Sequence, residues 1–193
     1  MPRAICVFCS SSDAVASEYK DLARELGAAI GQRGDTLVYG GCNIGLMGLL
    51  ARSVHEHGGR VIGIIPRKLM EIGLAYTKVD EQIITDDLRD RKALMDERAD
   101  SFVALPGGLG TVEEVIEVIN LKQLRYHRRP IVFLNSGGFY DRLFLFFEQT
   151  FDENFVRPGV RRLYHTVGGV EELLKYLDEY QPPEIEDKKF FKG

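Results

Sequence analysis

The stretch SFVALPGGLGTVEEVIEV, residues 101–118, decides the fold. It opens with an apolar run, turns at Pro-Gly-Gly, and continues with apolar residues spaced along one side of a helix. The opening run does not alternate with polar residues. A strand of that kind is covered on both faces, which happens in a parallel sheet with helices on each side. The stretch is therefore one strand–loop–helix unit, over 101–108 and 111–125.

Working outward, the same unit recurs. Continuous apolar runs predict strands at 4–9, 36–41, 60–66, 82–87 and 130–135. Helical spacing predicts helices at 17–34, 46–59, 88–99, 140–151 and 170–180. Strand and helix alternate along the chain, so the fold class is α/β: a doubly wound parallel sheet flanked by helices. Ligands of such sheets bind beyond the carboxyl ends of the strands. A length of 193 residues suits a single domain. The expected division is one domain over 1–181 and a loose, Pro-broken, charged tail over 182–193.

Composition narrows the function classes. With 45% apolar and 28% charged residues the chain is an ordinary globular protein. A net charge of −4 argues against broad nucleic-acid binding, which needs a basic surface. No apolar run approaches the roughly 18 residues of a membrane span. Cys6 and Cys9 are spaced C-x-x-C, but inside a strand and without a second ligand pair, so they read as packed thiols rather than a metal or redox motif. The odd count of three cysteines and the lack of a signal peptide point to the cytoplasm.

Two strand ends carry glycine clusters followed by a helix: YGGCNIGLMG (39–48), with Gly41, and PGGLGTVEE (106–114), with Gly107, Gly108, Leu109, Gly110 and Thr111. At such a junction the first helical amides lack partners and face a positive dipole end, which suits a phosphate. Glycines also serve as plain turn residues; two clusters on one sheet favour the ligand reading. Neither loop has a P-loop lysine or G-x-G-x-x-G spacing, so neither triphosphate hydrolysis nor a dinucleotide cofactor is indicated. Thr111-x-x-Glu114 fits a capping box, and Glu114 reads equally as a helix cap or as a carboxylate facing a ligand's sugar. Arg91 and Lys92 lie on the preceding helix, and Met95 falls on the same face as Arg91, as core or pocket wall. The four histidines have no metal spacing, and no G-x-S-x-G elbow supports a serine hydrolase.

PGGLGTVEE, preceded by DRKALM and in line with CVFCSSS, VYGGCNIGLMG and VIGIIP, resembles the LONELY GUY (LOG) family of cytokinin riboside 5′-monophosphate phosphoribohydrolases, long mislabelled as lysine decarboxylases. The similarity runs from about residue 4 to 177. It implies a Rossmann-like fold, homodimers or larger assemblies, and no metal or redox cofactor. It implies cleavage of the N-glycosidic bond of a purine nucleoside 5′-monophosphate, with Arg91 and Glu114 as catalytic pair. Lys92 and the run Pro106–Val112 would line the nucleotide site. The chain departs from many members at Cys42, at Leu88-Arg89-Asp90 and at Gly73, where several relatives carry a base-contacting glutamate. That leaves AMP and N6-prenylated AMP both as candidate substrates. A nucleotide carrier without turnover is the alternative; a decarboxylase would need a Schiff-base lysine at Lys92. The helix 111–125 is apolar on more than one stripe, so one face is expected to meet the sheet and the other a partner subunit.

Overall fold

A computed structural model of the chain describes residues 2–184. Seven strands form one parallel sheet in the order β4-β3-β2-β1-β5-β6-β7. The strands are β1 (Ala4–Phe8), β2 (Thr36–Tyr39), β3 (Arg60–Pro66), β4 (Glu81–Thr85), β5 (Ser101–Ala104), β6 (Ile131–Leu134) and β7 (His165–Val167). The helices are α1 (Ser17–Gln32), α2 (Gly45–Glu56), α3 (Arg67–Glu71), α4 (Leu88–Glu97), α5 (Leu109–Gln123), α6 (Asp141–Asp152) and α7 (Val170–Glu179).

The apolar runs behave as double-sided strands must. Along β1, Ile5 and Val7 enter one core and Cys6 and Phe8 the other. The first core holds α1, α2 and α7 through residues such as Leu26, Leu50 and Leu173. The second holds α4 and α5 through Met95, Val115 and Val118. Both faces are buried along the inner strands, while the edge strands β4 and β7 stay partly exposed, and this burial is the main force holding the sheet together.

The chain builds β1 to β4 outward in one direction, then returns to place β5 on the other side of β1. The strand order reverses there, so the crevice lies between the ends of β1, β2 and β5. Two elements were not legible beforehand: β7, of three residues, and α3, of five residues with none buried. The expected loose tail lies, from residue 185 on, outside the described residues.

Candidate functional site

The second glycine cluster lies at the crevice. Gly108 is the N-cap of α5, which starts at Leu109, two residues earlier than expected. Val112 N donates to Gly108 O at 3.1 Å, so the amides of 109–111 precede the helical ladder. No side chain caps this end and no acid lies in its first turn. The expected capping box does not form. Thr111 sits inside the first turn, 4% exposed, with its side chain against Gly107: a Cβ on Gly107 would fall 2.1 Å from Thr111 Oγ1. Glu114 turns away to another partner.

That partner is Arg91 of α4. Its Nη2 donates to Glu114 Oε1, and the two side chains are only 13% and 12% exposed. Burial pushes the Glu114 carboxyl up from its ordinary value, and Arg91 opposes that rise. Arg91 Nε is also buried, with no hydrogen-bond partner among the described residues. A buried polar group of that kind normally has a partner, and an arginine fork suits phosphate or vicinal hydroxyls.

The remaining candidates separate. Lys92 is engaged by Glu113 and Glu117 of α5 and braces α4 against α5. Burial lowers its affinity for a proton, but those two carboxylates outweigh burial and raise it. Met95 is 1% exposed and packs in the second core, so it is a core residue of α4 and not an exposed pocket wall. Gly108, Leu109 and Gly110 are exposed at the mouth, and Gly107 is half-buried.

The first glycine cluster is already spoken for, contrary to the reading of it as a second phosphate cradle. Gly45 N at the start of α2 donates to Asp13 Oδ1 at 3.0 Å, and Leu46 N to Ser10 O at 3.0 Å. Asp13 supplies the anion that this helix end attracts. Gly41 is buried and its carbonyl accepts from Tyr76 N, while Cys42 bridges Ala75. The loop that covers them leaves α3 through Gly73, whose φ of +80° favours glycine. Its neighbour Leu74 donates back to Leu69 O, closing a Schellman turn. Gly73 is thus a backbone device in this chain.

Cys9 and Cys42 are raised above the ordinary thiol range by burial, so neither is an activated nucleophile. Among the described residues no three His, Cys, Asp or Glu side chains are grouped to hold a metal ion. No helix among them is long and apolar enough to cross a membrane.

The family model described as "Possible lysine decarboxylase" matches residues 47–177. Two Arabidopsis thaliana proteins named cytokinin riboside 5′-monophosphate phosphoribohydrolase, LOG7 and LOG3, are 42% and 44% identical to the chain over 180 residues each. The matches cover 93% of this chain and 83% and 84% of those proteins. The chain belongs to the LOG family. Solved structures of similar fold include the molybdenum cofactor binding protein of Rippkaea orientalis, at TM-score 0.71 and 21% identity over 92% of this chain and 96% of that one. The molybdenum cofactor carrier protein of Chlamydomonas reinhardtii has TM-score 0.71 and 22% identity over 93% and 98%. At that identity the likeness concerns the fold, a Rossmann-like α/β sheet shared by this LOG-family chain.

Gly40 and Met47 were not singled out from the sequence; both stand in the quoted YGGCNIGLMG block and lie close to the Arg91 guanidinium. Nothing in the spacing of a single sequence says that a methionine tip of α2 and an arginine tip of α4 converge on one glycine.

Proposed function

We propose that this LOG-family chain hydrolyses the N-glycosidic bond of a purine nucleoside 5′-monophosphate, with adenine or N6-modified adenine as base, to free base and ribose 5-phosphate. The observation that carries the reading is the buried Arg91–Glu114 pair one and a half turns beyond an uncapped helix N-terminus. Glu114 lies about 8 Å along the axis from Leu109. In this reading the amides of 109–111 and the Thr111 hydroxyl hold the phosphate, with Gly107, Gly108 and Gly110 giving it access. Gly41 belongs to the wall behind them.

Breaking the bond from C1′ to the base nitrogen leaves positive charge on the ribose. An ionised Glu114 stabilises that charge and accepts a proton from the attacking water, while the water oxygen bonds to C1′. Glu114 then gives up that proton, which ends on the nitrogen of the departed base, so the carboxylate is regenerated and the products are neutral base and ribose 5-phosphate. Arg91 opposes the rise that burial imposes on the Glu114 carboxyl, and its Nε edge is offered to the substrate. Anchoring the phosphate fixes the sugar against the carboxylate.

Incubation of the purified protein with N6-isopentenyladenosine 5′-monophosphate and with AMP should release free base from at least one, and not from the dephosphorylated ribosides. Tight AMP binding with no base over hours would make the protein a carrier instead. A decarboxylase reading has no support from Lys92: an amine held between two carboxylates stays protonated, the wrong form for a Schiff base.

The outer face of α5 supports a homodimer. The buried stripe is Thr111, Val115, Val118, Ile119 and Lys122. The second apolar stripe is open: Leu109 is 90% and Leu124 54% exposed, and with Val112, Ile116 and Leu121 they line a shallow groove. An apolar stripe of that length beside the site fits a second copy. Sedimentation should give about twice 21.8 kDa, and Ile116→Arg should give the monomer. A wild-type monomer at micromolar concentration removes the claim. The three free thiols Cys6, Cys9 and Cys42 suit a reducing, cytoplasmic setting.

A further inference from the structure

Gly40 follows β2 and is buried. A methyl group placed on its Cα would lie 2.8 Å from Met47 Cε and 3.0 Å from Arg91 Nη1. Met47 comes from α2 and Arg91 from α4, helices on opposite faces of the sheet. Both tips therefore rest over the same bare piece of backbone. The two ends of the guanidinium fork are engaged separately: Nη1 lies over Gly40, and Nη2 donates to Glu114.

Gly40 differs from the glycines beside it. Gly41 and Gly45 have φ of +74° and +55°, where an L side chain is strained. A Cβ at Gly45 would also strike the backbone of Ser11 at 2.4 Å. Gly40 is not among the positive-φ residues, and its close neighbours are only the ends of two side chains. The backbone at this position accepts alanine; the arginine over it does not.

We propose that Gly40 and Met47 are positioning residues for Arg91. The glycine leaves the slot in which the guanidinium lies. The flexible thioether fills the other part of that slot beside Nη1, and the fork is held with Nη2 on the carboxylate. Loss of side-chain bulk at residue 40 is thus a requirement of the site and not of the β2 turn. The proposal rests on the phosphoribohydrolase reading for its effect on rate, but its geometry is open to a test without turnover.

In the assay above, Gly40→Ala should lower kcat about 100-fold, the scale of a 1 Å misplacement, with KM nearly unchanged. Its melting temperature should stay close to that of the wild type. Adding Met47→Ala frees the space that the new methyl group needs. The double variant should then recover about tenfold over Gly40→Ala, a clear departure from additivity. The titration of Glu114, followed by carboxyl-carbon NMR, supplies the second measurement. The charged groups facing Glu114 are Arg91 and Lys92 from α4 and Glu113 from its own helix. Displacing Arg91 alone should move Glu114 to higher pH in Gly40→Ala, and the double variant should bring it back. Full kcat in Gly40→Ala, additive losses, or an unmoved Glu114 titration overturns the positioning role. Wild-type protein that releases no base, with the Glu114 titration still moving as stated, overturns the phosphoribohydrolase reading and leaves the slot in place.

Discussion

Glu114→Gln should lower base release by about 10³-fold, the range for loss of a positioned acid–base group, and leave the protein folded. Glutamine keeps the shape of the side chain and an oxygen that can accept from Arg91 Nη2. It loses the charge and the basicity that the proposed hydrolysis assigns to Glu114. Circular dichroism melts should show a modest loss of stability, because Arg91 is left without its counter-charge in a site only about an eighth exposed. Nucleotide binding should persist, since the amides at the start of α5 are unchanged. A variant with full activity would remove Glu114 from the mechanism.

Arg91→Gln should have a different signature: a large loss of rate together with a displaced pH profile. Burial raises the Glu114 carboxyl and Arg91 opposes the rise. Without the guanidinium the carboxyl rises further, so the acid limb of kcat/KM moves to higher pH. Arg91→Lys keeps a positive charge but not the fork, so it should lose rate with a smaller displacement of that limb. Stability follows the same sign. A carboxyl whose folded value lies above its unfolded value binds more protons in the native state. Stability therefore falls as pH rises from the ordinary glutamate range through the raised folded value. Arg91→Gln should accordingly lose more stability relative to the wild type at neutral pH than in acid. Thermal melts at the two pH values check this, and equal losses at both would show that Arg91 does not govern the charge on Glu114.

Much of the architecture was legible because its cause is local. Apolar runs such as AICVFC and RVIGIIP become strands covered on both faces, and both faces of β1 are in fact buried. Helical spacing found six of the seven helices. The exceptions were short: α3 buries nothing, and β7 spans three residues at the sheet edge, so neither leaves a periodic signal. The start of α5 was read two residues late because Thr111 looked like a cap. The helix begins instead at Gly108 without one. The motif residues were legible too, but their partners were not. Lys92 shares the RK element with Arg91, yet it turns to Glu113 and Glu117.

Sequence alone determined the order of strands and helices, the placing of glycines at two strand ends, and the family to which PGGLGTVEE with Arg91 points. These depend on periodicity and on motifs within a few residues. Tertiary structure decided which glycine cluster remains open. Asp13 reaches across 32 residues to occupy the N-terminus of α2, while that of α5 is left uncapped. It also decided that Glu114 answers to Arg91, 23 residues away, and not to its own helix end. The physical reason is the same in each case. A charged group takes the strongest partner that the folded sheet brings within hydrogen-bond reach, and that choice is made by the packing of α4, α5 and the β1 loop around the strand ends.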